Sequence, residues 1–416
     1  AAGAAGAVVS EVRPEYEGLT APIFVAADTL KAYQDLARFH RRRFAIPVVA
    51  VTGSVGKTST RNMIATVLSE KYRVLQTEKN FNNEIGLPKT LLQLTPDHEA
   101  CVVEMGMRGL GQIAELAAIG EPTIGVVTNV GKSHIELLGS QENIAKAKAE
   151  LVQALDEKGT AVLNGDDPFV RPMTALCKGK TVLYGTDDQA AVRADHIVCD
   201  QQGVRFHCSG AGQSFDVSVP VIGGHNVYNA LAAIAVALEL GVGFDAIMSG
   251  LGRFTGTDRR FEKKGEVAGV TVIDDYAHHP QEIKATLAAA RNYPHRKLWC
   301  VFQPHTFSRT RFLFDEFHFR ELHRKDRCPL LSLRAIGGDI EPVQKKSEVI
   351  PMRADRGMRQ TGIHLTMPGK HRQVPLHLGV RLFFPLLHIA DGKRLLLPRQ
   401  IPLQQRDLTV HFRDRF

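Results

Sequence analysis

The sequence predicts an α/β protein, in which a P-loop-type parallel sheet is followed by a smaller Rossmann-like α/β domain. Three observations carry this reading. Short apolar runs such as Phe44-Ala-Ile-Pro-Val-Val-Ala-Val-Thr alternate with helical stretches, as in a sheet covered on both faces. A glycine-containing turn, Gly53-Ser-Val-Gly-Lys-Thr-Ser, joins that run to a helix. Near Leu251-Gly-Arg-Phe the texture resets and a second strand–helix–strand series begins.

In chain order, residues 28–43 read as a helix with apolar Leu30, Tyr33, Leu36 and Ala37 and a basic end. A buried strand at 47–52 leads into a helix at about 57–70 and a strand near 73–77. The strand Ala100-Cys-Val-Val-Glu, a helix at about 110–118 and the strand Thr123-Ile-Gly-Val-Val-Thr-Asn follow. An amphipathic helix at 141–155 precedes the strand Thr160-Ala-Val-Leu-Asn. Between 190 and 220, Val204-Arg-Phe-His-Cys and Phe215-Asp-Val-Ser-Val alternate as antiparallel strands do. Asn226 to Leu240 is an alanine-rich helix closed by Gly241. Val270–Asp275, a helix at 280–291 and Leu298–Phe302 then read as a new βαβ unit. No repeat of solenoid period occurs.

The length of 416 residues accommodates two or three domains at about 150 residues each. The net charge of +8 suggests an acidic partner until its distribution is examined. Residues 1–320 carry 34 basic and 35 acidic side chains, whereas 321–416 carry 18 and 9, so the excess belongs to the tail. The tail lacks the interleaved aromatics of a nucleic-acid surface, and nucleic acid is not an expected partner. No apolar run reaches the roughly 18 residues of a membrane span, so no membrane association is expected. The start lacks a signal-peptide pattern, and the six cysteines show neither CxxC nor close metal spacing. These features predict a cytoplasmic chain with reduced thiols.

The turn at 53–59 has the chemistry of a phosphate loop. Gly53 and Gly56 let backbone N–H groups and a helix N-terminus face a polyphosphate, with Ser54 and Ser59 in the same stretch. Lys57 would sit on the terminal phosphates and Thr58 would hold Mg²⁺; the competing reading is an ordinary glycine turn. Glu104 ends the second strand, where a carboxylate suits a cation, although strand-end acids are common. His134 follows the third strand in Thr128-Asn-Val-Gly-Lys-Ser-His and by itself is an ordinary loop histidine. Lys148, in Ala145-Lys-Ala-Lys-Ala-Glu, reads equally as part of a solvated helix face.

Taken together, Thr52-Gly-Ser-Val-Gly-Lys-Thr-Ser-Thr, Asn80-Phe-Asn-Asn-Glu-Ile-Gly-Leu-Pro, Glu104-Met-Gly-Met, Thr128–His134 and Lys146-Ala-Lys-Ala-Glu resemble the Mur ligases. These are the ATP-dependent amino-acid ligases of peptidoglycan synthesis. Residues 25–250 are most similar to the branch that adds D-alanyl-D-alanine to a UDP-MurNAc-tripeptide. Residues 250–320, with Gly252-Arg-Phe-Thr-Gly-Thr-Asp-Arg-Arg-Phe-Glu, Val272-Ile-Asp-Asp-Tyr-Ala-His-His-Pro and Val301-Phe-Gln-Pro-His-Thr-Phe-Ser-Arg, resemble the branch that adds L-alanine to UDP-N-acetylmuramate.

The resemblance implies an ATP-dependent, ADP-forming ligase acting on a UDP-MurNAc-peptide and an amino acid or dipeptide, with ATP and Mg²⁺ as cofactors and a monomer as the expected state. It implies that Gly53, Ser54, Gly56, Lys57, Thr58 and Ser59 cradle phosphates, and that Thr58, Glu104 and His134 hold metal. Lys148 joins them if carbamylated, and Lys57, His134 and Lys148 are then the catalytic set. Asn226 and Asn229 would contact the nucleotide, with helix capping as the alternative. Arg260, Asp275, Tyr276 and His279 would close over it. Asn82, Asn83 and Glu84 would face the substrate, though they also suit a tight turn, and His305 and Arg309 would face the amine.

Four segments follow from this: 1–45 as a shortened remnant of the UDP-sugar-binding domain, 46–252 as the ATP-binding domain, 253–320 as the start of the C-terminal domain, and 321–416 as an irregular basic tail. The tail, with no Asn, no Tyr and 8 of the 20 prolines, reads as out-of-frame translation or a foreign joint. Within it, only the run at 380–389 has strand-like density, and Pro385 interrupts that run. The competing class is an inactive nucleotide-binding chain.

Overall fold

The computed structural model describes residues 4–267, 269–291, 293, 295–296, 298–302, 307–317, 363–366, 380–385 and 408–411. They fall into two compact units, 1–257 and 258–416.

The first unit opens with a parallel pair, β1 (Ala7–Val9) and β2 (Ile23–Val25), and helix α1 (Thr29–Arg41). Asp28 caps α1 by accepting from the Leu30 and Lys31 amides. Next come β3 (Val48–Thr52), α2 (Lys57–Leu68), β4 (Val74–Gln76), α3 (Gly86–Leu91), β5 (Ala100–Glu104), α4 (Gln112–Gly120) and β6 (Ile124–Val127). After the short α5 (Ile135–Leu138), α6 (Gln141–Gln153) is capped by Ser140. Then follow β7 (Thr160–Asn164), β8 (Lys180–Gly185), β9 (Val192–Asp200), β10 (Gly203–Gly210), β11 (Gln213–Val219), α7 (His225–Glu239) and α8 (Phe244–Gly252).

Nine strands form one sheet in the order β11-β10-β9-β8-β7-β6-β3-β5-β4. Pairing is parallel from β4 through to β9 and antiparallel from β9 to β11. The expected parallel core with appended antiparallel strands is therefore present.

The apolar runs divide residue by residue between the two faces. Val49, Val51, Val102, Val126 and Val162 point into a core completed by α2, α7 and α8. Val48, Ala50, Cys101, Val103, Val127 and Leu163 point the other way, against α1, α3, α4 and α6. Each buried valine or leucine contributes roughly 1.5–3 kcal/mol. With both faces covered, the strands need apolar residues at every position, which is why they read as unbroken runs.

The second unit contains β12 (Glu262–Val267), β13 (Val270–Asp275), α9 (Pro280–Arg291), β14 (Trp299–Val301), α10 (Phe307–Phe312), β15 (Ile363–Thr366), β16 (Val380–Pro385) and β17 (Leu408–His411). Its main sheet has the order β12-β13-β16-β14. β13 and β14 both pair antiparallel with β16, so they run the same way but are separated by it. The expected βαβ unit is thus split, and the inserted strand comes from the tail. Pro385 ends β16, opposite Val270, consistent with a proline that cannot donate to the ladder. β15 and β17 pair in parallel. The rest of 321–416, and the reading of it as foreign sequence, lies outside the described residues.

Candidate nucleotide and cation site

β3 lies between β5 and β6, and the C-terminal ends of these three strands converge. The chain leaves β3 toward β4 and β5, then crosses to β6, so the sheet order changes direction at β3. Open α/β sheets bind ligands at such a switch point.

The loop after β3 has the geometry its glycines require. Gly56, immediately before α2, has φ +84, a left-handed conformation that glycine adopts without a Cβ penalty. At Gly53 a β-carbon would lie 1.9 Å from Thr128 Oγ1, so no larger residue fits. The first-turn amides of α2 are thereby presented at the loop, an arrangement that receives anions. Lys57 Nζ donates to the carbonyls of Gly53 (2.8 Å) and Ser54 (3.3 Å), and Ser54 and Ser59 are buried.

The segment after β6 is fastened to this loop. Ser54 N donates to the Asn129 carbonyl (3.0 Å), Val55 N to Asn129 Oδ1 (2.9 Å), and Thr128 Oγ1 to the Val55 carbonyl (2.8 Å). Ser133 Oγ and the Ser54 carbonyl are 3.4 Å apart. His134 ends this segment with φ +65 at the start of α5, a strained setting for a non-glycine residue. Thr128 and Asn129 were not singled out from sequence, although they lie in a motif that was.

Glu104, 2% exposed, is the hub of the site. Its Oε2 accepts from Thr58 Oγ1 (2.9 Å) and its Oε1 from Asn82 Nδ2 (2.7 Å). Arg61 Nη1 lies 3.5 Å from Oε2, with both side chains almost wholly buried. Burial lowers the Arg61 guanidinium from its usual value, and Glu104 opposes that. Arg61 had no place among the expected residues. Its signal was the three-residue spacing from Thr58, which puts both on one helical face.

Lys148 is not on a solvated face: it is 2% exposed on α6. Desolvation, and then the charge of Lys57, push its amine well below the ordinary lysine value. Asn83 Oδ1 accepts from the Ile85 and Gly86 amides and so builds the turn into α3, while Glu84 is exposed. Asn229 Oδ1 accepts from Thr60 Oγ1 (2.9 Å), and its Nδ2 donates to Asn226 Oδ1 (2.9 Å). Asn226 Nδ2 donates back to the Ile222 carbonyl (3.0 Å), so this pair joins α7 to α2 and is not an accepting helix cap. Both asparagines are buried, and Asn229 lies against Gly56 of the loop.

In the second unit Asp275 is buried and accepts from the amides of Phe261 (2.9 Å) and Ala277 (2.7 Å) and from Thr286 Oγ1 (3.0 Å). Burial raises its carboxyl, against the opposing pull of Arg260. Arg259 and Phe261 both have positive φ, and the Tyr276 amide donates to the Arg259 carbonyl (2.6 Å). The Arg259 and Arg260 guanidiniums lie 4.5 and 5.8 Å from the Tyr276 ring centroid. Arg260 is 3.8 Å from Glu282, whose carboxylate also accepts from the His279 amide. His279 is 2% exposed and Arg309, on α10, is 9% exposed. His305 lies outside the described residues.

Among the described residues no group of three or more His, Cys, Asp and Glu is placed to hold a metal. Cys101, Cys177, Cys199 and Cys208 are free thiols, and no helix among the described residues is long and apolar enough to cross a membrane.

Comparison with known proteins gives the family. Residues 51–237 match the Mur ligase middle domain and 259–331 the Mur ligase, glutamate ligase domain. The chain is 46% identical over 249 residues to the UDP-N-acetylmuramoyl-tripeptide–D-alanyl-D-alanine ligase of Synechocystis sp., covering 59% of this chain and 52% of that protein. It is 38% identical over 296 residues to the UDP-N-acetylmuramate–L-alanine ligase of Pelobacter propionicus, covering 68% and 60%. Among solved structures, MurF from Thermotoga maritima in complex with ADP superposes with TM-score 0.70 at 25% identity, covering 79% of this chain and 75% of that one. MurF from Acinetobacter baumannii gives 0.67 at 28% identity, covering 74% and 68%. The chain thus spans between about half and three-fifths of the length of the curated relatives it matches. With the middle domain around the phosphate loop and the glutamate ligase domain after it, the chain belongs to the Mur ligase family.

Proposed function

We propose that the chain is an ATP-dependent, ADP-forming amide ligase of peptidoglycan precursor synthesis, adding D-alanyl-D-alanine to a UDP-MurNAc-tripeptide as a cytoplasmic monomer. The observation that carries this is the 2.9 Å contact between Thr58 of the phosphate loop and Glu104, at adjoining strand ends. A hydroxyl and a carboxylate held together beside the phosphate loop support a nucleotide-bound cation there.

A carboxylate is a poor acylating agent. Transfer of the γ-phosphoryl group of ATP to it yields an acyl phosphate and ADP. The amine then attacks the acyl carbon, a tetrahedral intermediate forms, phosphate departs and the amine loses a proton. Catalysis of this kind rests on positioning and charge neutralisation. Lys57 would move from the loop carbonyls to the transferred phosphoryl, while the α2 amides hold the polyphosphate.

Hard oxygen donors at Thr58 and Glu104 fit Mg²⁺, which commonly takes one or two carboxylates plus phosphate oxygens. Thr58, Glu104, His134 and a carbamylated Lys148 would hold it, and bound there it would offset charge on the phosphoryl oxygens. Asn82, Asn83 and Glu84 would face the UDP-linked acceptor. Asn226 and Asn229 would border the base, and Arg260, Asp275, Tyr276 and His279 would serve the nucleotide from the second unit. His305 and Arg309 would serve the amine. On this reading 1–45 belongs to the UDP-sugar domain, 46–252 binds ATP, 253–320 begins the C-terminal domain, and the tail adds no site residue.

A second reading is L-alanine addition to UDP-N-acetylmuramate. It is favoured by Tyr276-Ala-His-His-Pro and by the 296-residue alignment with the L-alanine ligase. ADP release measured with each pairing of UDP-sugar and amine tests both. Fastest release with the tripeptide and the dipeptide supports the proposal, and release only with UDP-N-acetylmuramate and L-alanine replaces it with the second reading. No release from any pair, with ADP still bound, would leave a nucleotide-binding chain without ligase activity.

A further inference from the structure

We propose that Arg61 is a positioning residue that straps the Asn80–Glu84 loop to Glu104, so that the cation side and the acceptor side of the site are held as one piece. This rests on the ligase reading for its purpose, but not for its geometry.

A buried cation is costly, typically several kcal/mol before compensation, so a guanidinium that is 4% exposed needs partners on several sides. Arg61 has three. Its Nη1 faces Glu104 Oε2 at 3.5 Å and donates to the Lys79 carbonyl at 3.0 Å. Its Nε and Nη2 both donate to Asn62 Oδ1, at 3.0 and 2.6 Å. Asn62 is anchored in turn by donating to Thr257 Oγ1 (3.2 Å).

The Lys79 carbonyl matters because of where it lies in the chain. Lys79 has φ +49, a left-handed bend at a non-glycine residue just before the loop. Three residues later Asn82 donates to Glu104 Oε1, and its carbonyl accepts from the Gly106 amide (2.8 Å). The loop is therefore tied to β5 at one end through Asn82 and to α2 at the other through Arg61, with Glu104 between them. A planar fork can serve the carboxylate and the carbonyl at once. A lysine ammonium in its place keeps the charge but loses that fixed geometry.

Hydrogen exchange of the full chain, without substrate, compares the parent with Arg61→Lys and Asn82→Ala. The expected result is that the Asn82 and Gly106 amides exchange at least tenfold faster in both variants, while α4 and α6 are unchanged. Mn²⁺ binding in the presence of ADP, read by electron paramagnetic resonance, should weaken less than threefold in Arg61→Lys. The KM for the UDP-linked acceptor should rise tenfold or more, with KM for ATP moving less than threefold. Unchanged exchange at Asn82 and Gly106 in Arg61→Lys would overturn the strap, as would an equal rise in both KM values. If the parent chain binds no ADP, the ligase reading fails by itself, and the exchange measurement still decides the strap.

Discussion

Lys148 is a residue whose surroundings define its chemistry. An amine in a buried site beside another cation is favoured neutral, and only a neutral amine can add CO₂ to give a carbamate and a proton. Two consequences follow. Under ¹³C-bicarbonate the chain should show one carbamate carbon resonance that Lys148→Met abolishes and that fades as pH falls. Lys148→Met should also raise the urea midpoint. A lysine depressed in the fold takes up its proton on unfolding, so the parent's stability falls as pH drops below the ordinary lysine value, and removing the amine relieves this. An unchanged midpoint at pH 7 would count against the burial argument. Neither the burial nor the proximity of Lys57 could be read from Ala145-Lys-Ala-Lys-Ala-Glu. The amphipathic pattern over 141–155 predicts a helix, but not which lysine turns inward. Arg61 was hidden for the same reason: an arginine on a helix reads as solvated until the strand carrying Glu104 is placed beside it.

The elements themselves were far more legible. β3, β5 and β7 announce themselves because each residue must face one of two cores, so local composition already records the tertiary environment. The glycine loop is legible because a tight turn into a helix leaves few residue choices. Gly53 makes this testable. A methyl group there meets Thr128 Oγ1 far inside contact distance, so Gly53→Ala should destabilise the first unit by about 1–3 kcal/mol. It should also weaken ADP binding more than tenfold, as measured by calorimetry, because loop and α2 amides shift together. β16 marks the opposite limit. Its pairing with β13 spans more than a hundred residues, and no local pattern announces a partner at that distance.

For the whole molecule, the two units carry different ionisable cores and should respond differently to acid. The first buries its apolar clusters between 37 and 254. The second buries His279 and half-buries His278, and both rings are held below the usual histidine range mainly by desolvation, with Glu282 opposing and Arg309 adding to it. A histidine depressed in the fold gains its proton more readily when unfolded. The stability that these neutral histidines contribute is thus fully present above about pH 6.5 and declines below it. Urea unfolding at pH 7.5 and pH 5.5, followed by Trp299 fluorescence in the second unit, should show the midpoint falling with acid. His279→Gln should flatten that dependence. A midpoint equally low at both pH values would argue against the histidines as its source.

The bonds between Ser54, Val55, Thr128 and Asn129 have a consequence for how this site can be observed. Two loops from neighbouring strands share backbone and side-chain ties at four points, so they behave as one mechanical body. A spectroscopic label near His134 would therefore register events at the phosphate loop without touching it, and the two signals would rise with a single time constant.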